Sequence, residues 1–263
     1  GICIIFQSTL AAIAVIPLTN YVIPQFGAPG MFLFLAGIVA TGALVCRWLP
    51  AQGQSVRAEE EAGNGGAMMS RLAVPALIGL LAAGVFNGGV LGFWYFIERI
   101  GAAHGQSPGF IGISLSLGSI STIPAAGLAA WLGGRISNRI LVVAGSVGLL
   151  IAFTTLQLPG NAAFLITNLM FSMSWALAQP PYWAIIRKID ITNRLFVVST
   201  AAQGASGVVI GLVSGPIIEA GGYPALMGVS ACLIVAGGLI LGLASLVSTR
   251  FAAQSAELRA GSI

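Results

Sequence analysis

Charge is what this sequence has least of. Only 7% of its residues are Asp, Glu, Lys or Arg, where a soluble domain carries roughly 25%. A water-facing surface cannot be built from so few ionic groups. Histidine is nearly missing too, with one in 263 residues, and that one, His104, falls in a gap between apolar runs and reads as solvated. An activated serine hydrolase is therefore disfavoured: Gly112-x-Ser114 loosely resembles a serine turn, but no apolar run holds a histidine to activate it. The three cysteines, Cys3, Cys46 and Cys232, form no pair and no metal spacing, and are expected as small core side chains. There is no HExxH, no Walker loop and no carboxylate pair inside an apolar run. No enzyme chemistry, cofactor or metal site is expected.

What the chain does have is hydrophobicity, 57% of residues, and 36 glycines. About eight long apolar runs stand out, over 1–23, 30–49, 72–97, 110–132, 140–158, 162–186, 195–218 and 225–247. About 20 apolar residues in a helix span the ~30 Å hydrocarbon core. The runs are too long and too continuously apolar for barrel strands. The fold class is accordingly all-α, a polytopic transmembrane helical bundle with the bilayer as its solvent.

The few charges are placed with a pattern. All of the 11 Lys and Arg residues except Arg99 sit in every second gap: Arg47, Arg57 and Arg71; Arg135 and Arg139; Arg187, Lys188 and Arg194; Arg250 and Arg259. A chain threaded back and forth through a membrane produces this alternation, because basic residues are retained on the cytoplasmic side. The gaps 50–71, 133–139 and 187–194 and the tail 249–263 are expected inside; 24–29, 98–109, 159–161 and 219–224 are expected outside. The net charge of +4 is spread over these loops and does not point to nucleic acid. Residues 50–71, with Glu59-Glu60-Glu61 and Gly63-Asn64-Gly65-Gly66, read as a polar linker dividing two spans (1–49) from six (72–248). The chain starts with Gly inside an apolar run and without a basic leader, so the first run is expected to be a span of a longer protein and not a signal peptide.

Two spans carry polar stripes. In the sixth, Asn168, Ser172, Trp175, Gln179 and Tyr182 recur every three or four residues, ahead of and around Pro180-Pro181. Polar groups in hydrocarbon need partners. The stripe is expected to line a cavity, or else to hydrogen-bond between helices. In the third span Asn87, Leu91, Trp94 and Glu98 share a face. Glu98 would take up protons or hold a cation, or be an interfacial carboxylate that is solvated or paired with Arg99. Glycine ridges Gly84, Gly88, Gly92 and Gly207, Gly211, Gly215, the latter ending at Pro216, are expected to be helix-packing surfaces. The third and sixth spans both end in an aromatic pair, and the fourth and seventh both end near a Gly pair. This is the form of an inverted-topology repeat, or of an interfacial aromatic belt.

The order of these features resembles the major facilitator superfamily of secondary transporters. Two spans, a polar linker and six spans match that family from its fifth helix to its twelfth. Gly133-Gly134-Arg135-Ile136-Ser137-Asn138-Arg139 is similar to its basic loop between helices eight and nine, with Gly134 where the family has aspartate and Ser137 where it has glycine. Asp190-Ile191-Thr192-Asn193-Arg194 is similar to the Asp-x-x-Gly-Arg turn before helix eleven, and Gly211-x-x-x-Gly215-Pro216 to the kink in that helix. The antiporter signature of the fifth helix is absent from 1–23. The resemblance implies the last two helices of one half, an inter-half linker and a complete second half, with the first four helices missing. It implies alternating-access transport of a small molecule with protons as coupling ion, in a bacterial inner (plasma) membrane. Substrate contacts would come from the third and sixth spans: Asn87, Trp94, Asn168, Ser172, Trp175, Gln179 and Tyr182. The alternative is a receptor or scaffold on the same fold that transports nothing.

Overall fold

A computed structural model of the chain describes residues 22–46, 66–189 and 194–260. Among the described residues the chain is helical and contains no strand. The helices are α1 (Ile23–Cys46), α2 (Gly66–Trp94), α3 (Ile97–Ala103), α4 (Pro108–Leu132), α5 (Asn138–Thr155), α6 (Asn161–Ile189) and α7 (Arg194–Ala260). Among the described residues five stretches are long and apolar enough to cross a membrane: Leu77–Ala103, Pro108–Leu132, Asn138–Thr155, Asn161–Lys188 and Ala201–Leu246.

The last of these is two crossings. Its 46 residues would extend about 69 Å as one straight helix, more than twice the hydrocarbon thickness. The break is at Gly222, with φ 70 and ψ −170, a left-handed conformation that glycine reaches without a Cβ clash. Pro224 follows it. The two arms, up to and after Gly222, correspond to the seventh and eighth apolar runs.

Side-chain contacts give each helix its direction. Along α2, Gly84 approaches Ala202, Gly88 approaches Ser206 and Gly92 approaches Ile210. Both numbers rise together, so α2 and the first arm of α7 are parallel. Against the second arm the numbers run oppositely: Gly92 meets Ser230, and Phe86 meets Gly237. That arm is antiparallel to α2. Helix α6 is antiparallel to α2 as well, since Gly79 lies by Ile186, Phe86 by Tyr182 and Trp94 by Phe171. It is also antiparallel to α5, which it meets through Gly145 at Ala178 and Ala152 at Thr167. A chain crossing one slab six times in succession gives these pairings, and the loops 98–109 and 159–161 then share one end. Gly101, Ile111 and Phe164 touch there.

The interior is apolar and aromatic. Phe93 is fully buried between Phe153 and Phe171, with ring centroids 5.0 and 4.7 Å away. No Asp, Glu, Lys or Arg is among the buried side chains described. The outside is apolar too: Leu81, Ile113, Val208, Leu212, Leu239 and Leu243 are all well exposed. A monomer in water rarely exposes such contiguous apolar surface, whereas lipid accepts it.

Three features depart from the sequence reading. The third span is interrupted: α2 stops at Trp94, and the chain turns through Tyr95 and Phe96 before α3 resumes, within the stretch Leu77–Ala103. Helix α2 also begins at Gly66, inside the expected linker, because Ala67, Met68 and Met69 are good helix formers. Cys232 is exposed on the second arm of α7 rather than in the core; a thiol is apolar enough to face lipid. Cys3 and residues 1–21 lie outside the described residues, as do 47–65.

Candidate functional site

Half-way along the bundle α2, α6 and α7 leave a small cavity between them. It is lined by Ala83, Phe86 and Asn87 of α2, Trp175, Gln179, Tyr182 and Trp183 of α6, and Gln203 of α7. Four of these, Asn87, Trp175, Gln179 and Tyr182, are residues the two polar stripes single out. They reach one place because α2 and α6 cross antiparallel at Phe86 and Tyr182, whose rings lie 4.9 Å apart. The lining offers three amides, two indoles and a phenol, and no charge. Its volume of about 20 Å³ has room for a water molecule and little more.

The polar groups are partly committed to the bundle. Asn87 Nδ2 donates to Ser206 Oγ at 3.1 Å and to the Gln203 carbonyl at 3.4 Å. Tyr182, buried, donates through its hydroxyl to the Gly237 carbonyl at 3.4 Å. Each bond ties a different helix to α7. Trp175, Gln179 and Gln203 are half-buried, and they are the side chains with freedom to meet an occupant.

Helix α6 runs through Pro180-Pro181 without leaving helical geometry. Two successive prolines lack N–H groups, so two carbonyls of the preceding turn lose their helical partners. Those are the carbonyls of Ala176 and Leu177, next to the cavity-lining Trp175.

The rest of the α6 stripe goes elsewhere. Asn168 and Ser172 are buried against α4, where a methyl group at Gly118 would lie 3.0 Å from Ser172 Oγ and 3.2 Å from the Asn168 carbonyl. Asn168 Nδ2 donates to the Phe164 carbonyl at 3.0 Å, while Oδ1 has no partner. A 29-residue helix passes several neighbours, so one stripe serves two contacts. Trp94 is also away from the cavity. It is partly exposed and stacks on Phe171, with centroids 6.2 Å apart and planes inclined by 7°. Glu98 is exposed on α3, past the break at Tyr95. His104 is exposed, and its Nδ1 lies 2.8 Å from the Ile100 carbonyl at the end of α3.

The glycine ridges divide similarly. Gly84 and Gly88 are in van der Waals contact with α7, and Gly92 is closed in by Ser230 and Ile210. Gly207 faces Leu91 and the Tyr95 hydroxyl. Gly211 and Gly215 face open space, and Pro216 is exposed. Arg135 and Arg139 are exposed in and after the α4–α5 loop. Asp190 lies outside the described residues, and Arg194 opens α7. Among the described residues no group of His, Cys, Asp and Glu could hold a metal ion.

Sequence reasoning missed Gln203, Trp183 and the close approaches of Gly89 to Ser230 and of Gly237 to Phe86. Gln203 is the one amide in the seventh run, and a search for every polar side chain in hydrocarbon would have found it. Gly89 and Gly237 carry no such signal, since glycines are too common here to rank. No family model, no curated protein and no solved structure matches this chain.

Proposed function

We propose that this chain belongs to a secondary active transporter of the major facilitator kind, and that the cavity between α2, α6 and α7 is its half of the substrate site. The observation that carries the reading is the convergence of Asn87, Trp175, Gln179 and Gln203 on one uncharged cavity inside an apolar bundle. Polar groups at membrane depth are costly and mark substrate pathways. A permease using alternating access holds substrate between helices that part and close around a fixed site. A cavity of about 20 Å³ then corresponds to a closed site, and substrate enters as the α6 wall moves from α2 and α7. The amides would exchange hydrogen bonds with the substrate and the indoles would stack on it.

The opposite wall would come from the other six-helix half that the resemblance requires. Protons are the coupling ion in this reading, carried by Glu98 or by an acid of that half. The inner, or plasma, membrane of a bacterium is its setting.

The test is transport by the full-length protein in proteoliposomes. Trp175→Ala and Gln179→Ala should each lower the rate about tenfold or more, as loss of a buried polar or stacking contact of over 1.4 kcal/mol would. Membrane insertion should stay intact. Wild-type rates in both variants would remove these residues from the site, and absence of saturable flux in the wild type would favour a scaffold.

A further inference from the structure

Helices α4 and α5 are joined by only five residues, Gly133 to Ser137. A connection that short between two membrane-crossing helices stays at the level of the lipid headgroups. It is also tightly organised. The N–H groups of Arg135 and Ile136 both donate to the Leu132 carbonyl, at 2.9 and 3.0 Å. Gly134 has φ 89, which turns the chain back on α4. The Arg135 guanidinium is thereby laid over the Trp131 ring, 4.3 Å from its centroid.

Trp131 itself is 61% exposed, an indole at the depth where aromatic residues meet the interface. Arg139 follows in the first turn of α5, where its N–H donates to the Ser137 cap at 3.3 Å, and it is exposed. Ile140 beside it is 59% exposed. Among the described side chains the acids are Glu98 and Glu219. Both belong to the opposite end of the bundle from the two guanidiniums.

We propose that Trp131, Arg135 and Arg139 form a binding site for the headgroup of an anionic membrane lipid. The planar N–H forks of the two arginines suit the paired oxygens of a phosphodiester. The indole holds one fork in place through its π face. The acyl chains run down the exposed faces of α4 and α5, past Trp131 and Ile140. The commitment is to a lipid rather than to free phosphate, because the platform is at the membrane surface and half of it is apolar.

Native mass spectrometry of the protein released from bilayers of equal phosphatidylglycerol and phosphatidylcholine reads this directly. The wild type should carry phosphatidylglycerol in preference. A basic residue near the surface contributes about 1 kcal/mol, so Arg139→Gln should lower the retained phosphatidylglycerol about fivefold, and Arg135→Gln with Arg139→Gln further. Arg135→Lys, which keeps the charge and loses the fork, should fall between. Arg99→Gln, at the other end, should retain the wild-type amount. Equal retention of the two lipids by the wild type, or undiminished retention by the double variant, would overturn the proposal. Displacement of the lipid by millimolar inorganic phosphate would reassign the site to a free anion and overturn it equally.

Discussion

At the scale of single residues, glycine decides more than any other type. A methyl group at Gly237 would come within 2.6 Å of the Phe86 backbone nitrogen, and one at Gly89 within 2.6 Å of the Ser230 carbonyl. Neither neighbour is a flexible side-chain tip. Gly237→Ala should therefore destabilise the bundle by roughly 1–3 kcal/mol, the cost of overpacking. Gly211→Ala meets open space and should be neutral or slightly stabilising, since Ala is favoured over Gly in a helix by about 1 kcal/mol. Thermal unfolding of detergent-solubilised protein distinguishes the two; equal melting points would refute this packing. The same comparison marks how far the residues could be read. Helical periodicity put Trp175 and Gln179 on one face of α6 and Asn87 on a face of α2, without saying that the two faces meet. It could not separate Asn168 and Ser172 from Trp175 and Gln179, because periodicity carries no information about which neighbour lies opposite each turn. Asn87 shows the two roles of such groups at once. Its bond to Ser206 is worth about 0.6 kcal/mol by the average for membrane helices. Asn87→Ala should lower thermal stability by about that amount, and a loss of several kcal/mol would show a larger structural role.

At the scale of elements, the apolar runs locate the helices well and their ends poorly. Hydrophobicity reports what lies in lipid, while helix ends are set by local backbone chemistry. The third run continues unbroken through Trp94, Tyr95 and Phe96, all apolar or aromatic, yet α2 stops there. Phe96, at φ −113 and ψ 2, is out of the helical region, and no residue in the run signals this. Gly222 was easier to place, since Gly221-Gly222-Tyr223-Pro224 separates two runs with turn-forming residues. Its left-handed φ of 70 allows a further test. Gly222→Ala should cost roughly 1–2 kcal/mol, the penalty for a side chain in that conformation. The loss should appear in the melting temperature. A variant as stable as the wild type would mean that the two arms do not need this bend.

At the scale of the whole molecule, charge placement and packing are independent observations that agree. Alternating basic gaps require six consecutive crossings from 72 to 247, with Arg135, Arg139, Arg187 and Lys188 at one end. The packing makes α2 parallel to the first arm of α7 and antiparallel to α6 and the second arm, as odd and even crossings of one slab must be. Exposed Leu, Ile and Val on α2, α4, α5 and α7 complete the case for a lipid-facing exterior. This much was legible because the bilayer imposes it on composition. The small size of the cavity was not, since a volume depends on how closely side chains from three helices interlock. The crossing pattern is the claim on which both the cavity and the lipid site depend. Its most direct measurement is cysteine accessibility in sealed vesicles, with Arg135→Cys, Lys188→Cys and His104→Cys each made in a background whose own cysteines are replaced by alanine. A membrane-impermeant thiol reagent should label Cys at 135 and 188 from one side only and Cys at 104 from the other only. Labelling of positions 135 and 188 from opposite sides would contradict the account.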